Sequence, residues 1–207
     1  MEANKRNTKE AYLLEALRLF AQKGYEAVGV VELAQAVGCT TSALYKHYAG
    51  KKALFEAIIE KCKLGFKENM TRLKTDFADR PREEISQMTE EDQIRTVLSL
   101  FDTIADSEYP KLFRKLVMVE QFKHPELAKV YNEHYINSQF ESFSVLMQTM
   151  IDAGVLRNGN AQIMAVQYVS PIVLMIGVYD REPERREEIH KLLEKHVRQF
   201  NEVYRIK

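Results

Sequence analysis

The run Val30-Val31-Glu32-Leu33-Ala34-Gln35-Ala36-Val37, followed by Gly38-Cys39-Thr40-Thr41-Ser42-Ala43-Leu44-Tyr45-Lys46-His47-Tyr48, decides the reading of this chain. It reads as one short helix from Val31 to Val37, a glycine turn, and a second short helix from about Thr41 to Tyr48. That is the helix-turn-helix pattern, in which the first helix positions the second in a major groove. A second helix of about eight residues is below the roughly 12 to 15 at which isolated helices become even marginal, so packing must hold it. Leu44 and Tyr48 are four apart and supply an inward face against Leu33, Ala34 and Val37. Thr41, Ser42, Tyr45 and Lys46 share the outward face, a donor set sized for base edges and phosphates. On periodicity alone, a merely solvated polar face accounts for the same residues equally well.

The residues that follow shift that balance. Lys51 and Lys52 stand in the first turn of a long helix starting near Lys51, where the macrodipole disfavours cations by about 0.3 to 1 kcal/mol. Helix-start amides beside two ammonium groups form a site for phosphate by general anion-binding logic. The N-terminal quarter is also the basic end. Up to Lys52 there are eight Lys and Arg against five Asp and Glu, within a chain whose thirty basic and thirty acidic residues cancel. No whole-chain field announces nucleic acid or membrane.

Outward from this unit the chain reads as helical throughout. Only 8 Gly and 5 Pro punctuate 207 residues, and apolar residues recur at three-to-four spacing without an alternating strand run. The first helix is expected to open with Asn7 as its N-cap and Glu10 as box partner, to bury Leu13, Leu14, Leu17, Phe20 and Ala21, and to close at Lys23-Gly24. The long helix from Lys51 should reach Met70 or beyond, with Asp79-Arg80-Pro81 marking its end and a charged loop from Arg82 to Asp92. Periodic segments follow at about Glu91–Ala105, Pro110–Phe122, Pro125–Ala153, Ala161–Tyr179 and Glu184–Tyr204. The fold class is therefore all-α with about nine helices, a three-helix domain over 1–50 and a larger helical domain over 51–207. Two cysteines, Cys39 and Cys62, make no disulfide scaffold and fit a reducing cytoplasm. Ile163 to Tyr179 is the most apolar stretch, but it is interrupted by Gln167, Ser170 and Pro171 and falls short of the ~20 residues of a spanning helix. It reads as buried in protein, so no membrane partner is expected.

The run Phe20-Ala21-Gln22-Lys23-Gly24-Tyr25, the two helices quoted above and Lys51-Lys52-Ala53-Leu54-Phe55 together resemble the DNA-binding domain of tetracycline-repressor-type (TetR family) regulators. The likeness is specific from about Thr8 to Ile59. Beyond that it rests on helix order and on Gly154-Val155-Leu156-Arg157. The resemblance implies a homodimer on double-stranded operator DNA, a half-site read by Thr41 to Tyr48, and a cavity for a small-molecule effector in the C-terminal helices. Thr40, Thr41, Ser42, Tyr45, Lys46, His47, Tyr48, Lys51 and Lys52 become the candidate DNA contacts, with a Lys5-Arg6 arm beside them. The chain departs from the family pattern at Val28 and Gly29, where Thr and Ser usually precede the second helix, at Val31, often basic, and at Ser42, often glycine.

In the C-terminal part, Phe66, Phe101, Leu116, Tyr135, Phe143, Met147 and Tyr168 are the candidate cavity lining, and any of them can equally be core. Glu120 lies on the apolar stripe Phe113, Leu116, Val117 and is the candidate polar anchor, since buried acids need partners. A helix apolar nearly all round, as Ile163–Tyr179 is, needs cover on two sides. Ile172, Met175, Ile176, Ile189, Leu193, Val197 and Phe200 are accordingly the candidate dimer interface. Glu120, His124 and His134 lack any dedicated zinc spacing, so no metal, cofactor or catalytic set is expected. His190 and His196 read as packing and rim of the last helix. The leading function is a ligand-responsive repressor; a DNA-organising protein of the same fold with no inducer is the alternative, and an all-helical enzyme a remote one.

Overall fold

The structure, a computed structural model, describes the backbone of residues 2–206 and the side chains of residues 9–206. The Lys5-Arg6 arm and the Asn7 cap therefore fall outside the described side chains. Among the described residues the chain forms α1 (Glu2–Lys23), α2 (Val30–Ala36), α3 (Thr41–Tyr45), α4 (Lys51–Ala78), α5 (Arg82–Gln87) and α6 (Glu90–Asp106). These are followed by α7 (Glu108–Glu120), α8 (Pro125–Val130), a π-helical stretch (Tyr131–Asn137), α9 (Ser138–Asp152), α10 (Ala161–Tyr179), a 3-10 turn (Pro183–Arg185) and α11 (Arg186–Tyr204). The only extended pairing among the described residues is an isolated antiparallel bridge between Leu156 and Arg205. The fold is all-α, as the spacing predicts.

Three expectations need correction. Asn7 does not open the first helix: α1 already runs from Glu2. The Arg82–Asp92 segment is not a loop, because α5 occupies Arg82–Gln87. Pro81 starts it, Glu83 and Glu84 sit in its first turn where the dipole favours them, and Ile85 is its one fully buried residue. A single apolar side chain among charges carries no periodicity. The second helix of the motif is also shorter than eight residues. Its α-helical part stops at Tyr45, and the amides of His47 and Tyr48 both donate to the Leu44 carbonyl in a closing turn.

Packing groups the chain into two compact units, neither continuous in sequence: Met1–Phe66 with Glu108–His134, and Lys67–Ser107 with Tyr135–Lys207. The expected division at residue 50 follows the order of functions along the chain, whereas α7 and α8 pack with the first helices. In the first unit, α1 buries Leu17 and Phe20 with Leu33 of α2, Leu44 of α3, Leu54 and Ile58 of α4, and Phe113 and Leu116 of α7. In the second unit, one apolar core runs from Phe77 of α4 through Val97 and Phe101 of α6, Phe143 and Met147 of α9, and Ala165 and Ile172 of α10 to Leu193 and Val197 of α11.

Candidate nucleic-acid interface and ligand cavity

The helix-turn-helix is built by three local devices. Gly29 caps α2 in extended geometry with no side-chain hydrogen bond, so the departure from Thr and Ser at Val28-Gly29 does remove a cap. Val28 is buried instead, and Val31 stays exposed. Gly38 turns the chain at φ +73°, a left-handed value that suits glycine. Thr40 then caps α3, its Oγ1 accepting from the Ala43 amide at 3.2 Å. A threonine cap contributes on the order of 1 kcal/mol, which matters for a helix of this length.

The nine candidate DNA contacts separate into two groups. Ser42, Tyr45, Lys46 and Lys52 are exposed, Tyr45 by 53%, with Lys52 3.8 Å from Glu56 one turn on; Thr40 is exposed too, and Thr41 partly so. The others have structural partners. Thr40 is committed to its cap. The His47 ring lies 5.2 Å from that of Tyr12, which also meets Tyr48 edge-on. Hydrogen bonding to Cys39, and then burial, raise the Tyr12 phenol above its ordinary pKa. Tyr12 on α1 thus clasps the end of the reading helix, a role that the apolar spacing of α1 did not single out. Lys51 answers its unfavourable helix position without an anion: its Nζ donates to the carbonyls of Tyr25 (2.9 Å) and Glu26 (3.4 Å) and lies over the Tyr25 ring.

Glu120 has a related role. Its Oε1 accepts from the Tyr25 amide at 2.8 Å, and the carboxylate is only 2% exposed. His124 stands 3.8 Å from its Oε2 and packs on both Tyr25 and Phe55. Gly24 closes α1 at φ +81°, and a Cβ there would lie 2.7 Å from Glu120 Oε1. The buried acid therefore finds its partner in a backbone amide, within the turn between α1 and α2. No group of three His, Cys, Asp or Glu side chains among the described residues is placed to hold a metal ion.

The second unit holds a partly open cavity of about 160 Å³. Leu73 and Phe77 of α4, Val97 and Leu100 of α6, Phe143, Met147 and Met150 of α9, Tyr168 of α10 and Phe200 of α11 contribute to its wall. Three of the predicted lining residues are there: Phe143, Met147 and Tyr168. Phe66, Leu116 and Glu120 belong instead to the first unit, Phe66 packing on Phe113. Phe101 is wholly buried against Tyr179 and His190, and Tyr135 lies in the core outside the lining. Gln93, which does line the cavity and is only 6% exposed, was not singled out from sequence. Its signal was a polar residue at four-residue spacing before Val97 and eight before Phe101.

The predicted dimer residues are also placed differently. Ile172, Ile176, Ile189, Leu193, Val197 and Phe200 lie in the chain's own core, and Met175 packs against it. A side chain already buried within its chain has no area left for a partner. The apolar residues that α10 and α11 leave exposed are Ile163, Val166 and Leu174 on one and Leu192 and Val203 on the other. By length and composition α10 could also cross a membrane, and 39% of its apolar window is buried. His190 and His196 serve packing: His190 meets Asp102 at 2.9 Å, and His196 meets the Tyr168 carbonyl at 2.8 Å.

A capped reading helix following a glycine turn invites comparison with known regulators. Residues 13–58 match the model of bacterial regulatory proteins of the tetR family, and residues 94–206 match the AefR-like transcriptional repressor C-terminal domain. The chain belongs to the TetR family. Membership makes it a DNA-binding transcription regulator and not an enzyme. This TetR-family chain is 23% identical over 161 residues to IcaR, the negative transcriptional regulator of the biofilm operon icaADBC in Staphylococcus aureus strain Newman, covering 74% of this chain and 86% of that one. Among solved structures it is similar to a TetR-family regulator from Mesorhizobium loti MAFF303099, at TM-score 0.72 and 17% identity over 97% of this chain and 98% of the other. The complex of SmeT with triclosan superposes at TM-score 0.70 and 18% identity, over 97% and 93%. SmeT is the repressor of the Stenotrophomonas maltophilia multidrug efflux pump SmeDEF.

Proposed function

We propose that this TetR-family chain is a cytoplasmic, homodimeric repressor whose hold on double-stranded operator DNA is released by a small apolar effector. The observation that carries the effector reading is the cavity of about 160 Å³, walled by five helices of the second unit. An apolar cavity of roughly 150 Å³ accepts a benzene-sized ligand, so this one has room for an aromatic group. SmeT, of similar fold, is described in complex with triclosan, which supports a small-molecule effector here.

Helix α4 supplies the route of coupling. It starts at Lys51, three residues after the end of the reading segment, and its residues Leu73 and Phe77 line the cavity. A ligand that favours one arrangement of α4 while operator favours another sets a coupling free energy between the two sites, reciprocal in both directions. Ser42, Tyr45, Lys46 and Lys52, with Thr41, make the DNA contacts in this reading, while Thr40, His47, Tyr48 and Lys51 hold them in place. The face carrying Ile163, Val166, Leu174, Leu192 and Val203 is the dimer interface.

A genome-wide footprint of the protein identifies the operator, and the decisive experiment then measures affinity for that DNA with and without cavity ligands. A compound whose binding shifts the resonances of Phe143 and Met147 should weaken operator binding by at least fivefold. If ligands occupy the cavity and operator affinity stays constant, the chain is a constitutive or DNA-organising regulator and the effector reading fails.

A further inference from the structure

Of the five residues of α3, Leu44 is the one that is buried, so the helix presenting Ser42, Tyr45 and Lys46 has a single side chain in the core. One anchor fixes a position and leaves a direction free, and a helix this short is not held straight by its own hydrogen bonds. The second hold comes from α1. Tyr12 is 3% exposed and shares the buried face of that helix with Ala16 and Leu17. The His47 ring lies 5.2 Å from the Tyr12 ring at an angle of 41°, and the Tyr48 ring meets it edge-on at 6.4 Å. Both distances are within the range of attractive ring pairs. Hydrogen bonding to Cys39, ahead of burial, raises the Tyr12 phenol above its ordinary pKa. Cys39 stands just before the Thr40 cap and is itself tied to α2, its amide donating to the Ala34 carbonyl at 2.9 Å. One side chain of α1 therefore touches the chain on both sides of α3.

We propose that Tyr12 is a positioning residue for base recognition: by holding the chain before and after α3, it fixes the direction in which Ser42, Tyr45 and Lys46 meet the bases. The inference rests on the reading of α3 as the base-contacting helix and adds the residue that gives it selectivity. Hydrogen bonds to base edges need donor and acceptor placed within a few tenths of an ångström. A phosphate contact is less exacting, because a lysine on its flexible four-carbon stem follows the backbone through a small rotation of the helix. Loosening α3 therefore costs discrimination between sequences before it costs affinity for DNA as such.

The test measures, by fluorescence anisotropy of the full-length protein, affinity for the footprinted operator and for the same duplex with both half-sites scrambled. Tyr12→Leu keeps an apolar side chain in the core and removes both the ring and the hydroxyl. It should lower the ratio of the two affinities by about tenfold, within the worth of one base contact, and leave the scrambled duplex and its salt slope unchanged. Tyr12→Phe keeps the ring and removes the hydroxyl, and should lower the ratio by about threefold. Cys39→Ala removes the same hydrogen bond from its other end, so it should match Tyr12→Phe, and the double variant should lose no more than either alone. A side chain that merely supports the fold would move the unfolding midpoint, or both affinities together, and not the ratio. The proposal is overturned if folded Tyr12→Leu protein keeps the wild-type ratio or loses affinity for both duplexes equally. It is overturned equally if Tyr12→Phe and Cys39→Ala leave the ratio in place, and these two conservative changes decide alone if Tyr12→Leu does not fold. Thr41→Ala and Lys46→Ala, measured alongside, separate the two readings. If they too leave the ratio unchanged, α3 falls as the base-contacting helix and Tyr12 falls with it, whereas if they lower it and the Tyr12 variants do not, only the positioning role is lost.

Discussion

Replacing Gly24 by alanine places a methyl group against the carboxylate that organises the turn between α1 and α2, and the cost follows from two distances. Gly24 has φ +81°, so any L side chain there carries left-handed strain of about 1 to 2 kcal/mol. The new Cβ would also lie 2.7 Å from Glu120 Oε1, which must move, and in moving releases the Tyr25 amide it accepts from at 2.8 Å. A hydrogen bond to a charged group is worth about 1.5 to 3 kcal/mol. Gly24→Ala should therefore destabilise the fold by about 3 to 4 kcal/mol, a large share of the 5 to 15 kcal/mol typical of a whole domain.

The two contributions separate in a double-mutant cycle. Glu120→Ala alone loses the hydrogen bond and packing at a nearly buried site and should cost about 3 kcal/mol. With the carboxylate gone, Gly24→Ala meets only backbone strain, so its cost in that background should fall to about 1 to 2 kcal/mol. The coupling energy is then about 2 kcal/mol in the direction of relief. Urea unfolding followed by far-ultraviolet circular dichroism and tyrosine fluorescence is suited to a chain with 10 Tyr and no Trp. Protomer concentration is held fixed, because dimerisation shifts apparent stability by mass action. Additivity of the two costs within about 0.5 kcal/mol would falsify the picture of Glu120 as the clamp of this turn.

On the exposed face of α10 and α11, Leu174→Asp or Leu192→Asp should give folded monomers in sedimentation velocity, whereas Leu193→Asp, fully buried, should abolish folding; a dimer that survives both surface changes removes that face as the interface. Exposed Lys46 and Lys52 in each protomer bring about four positive charges per dimer to the DNA, so log affinity against log salt should fall with a slope of about −3.6 or steeper, and Lys52→Ala, at a phosphate, should flatten it by about 2. Thr41→Ala and Lys46→Ala should alter base preference in a footprint, with Lys52→Ala weakening all sequences alike. Hydrogen bonds from Thr89 hold the Asp92 carboxyl below its ordinary pKa, so its contribution to α6 is present above the unfolded value and is lost as pH falls through the lowered folded one. Asp92→Asn should flatten that acid limb of stability, measured by thermal melts across the carboxylate range, and an unaltered limb would show that the box contributes nothing.

The reading motif was legible because its information is local. Gly38, the cap at Thr40 and the buried Leu44 sit within seven residues of one another, and each acts on its near neighbours. The bounds of α10 were legible for the same reason: Asn160 caps it, accepting from the amides of Gln162 and Ile163, and the apolar run continues to Tyr179. What periodicity cannot carry is the partner of a stripe. Ile189, Leu193 and Val197 mark a helix with a buried face, but the same spacing arises whether that face meets α6 of its own chain or a second copy. The structure assigns it to the chain's own core and leaves Leu192 outside.

The same limit governs the polar residues. Glu120, Gln93 and Asn201 each interrupt an apolar stripe, and each is buried to within a few per cent. Their meanings differ because of residues about a hundred positions away. Glu120 meets the Tyr25 amide 95 residues earlier and is satisfied on that oxygen, which makes it a clamp. Gln93 meets Asn201 108 residues later, its Oε1 accepting from the Asn201 amide, and stands in the wall of the cavity. A buried polar group whose hydrogen bonds close on the chain holds the fold together. Spacing along one helix marks such a residue as buried, and only the distant partner says what it holds.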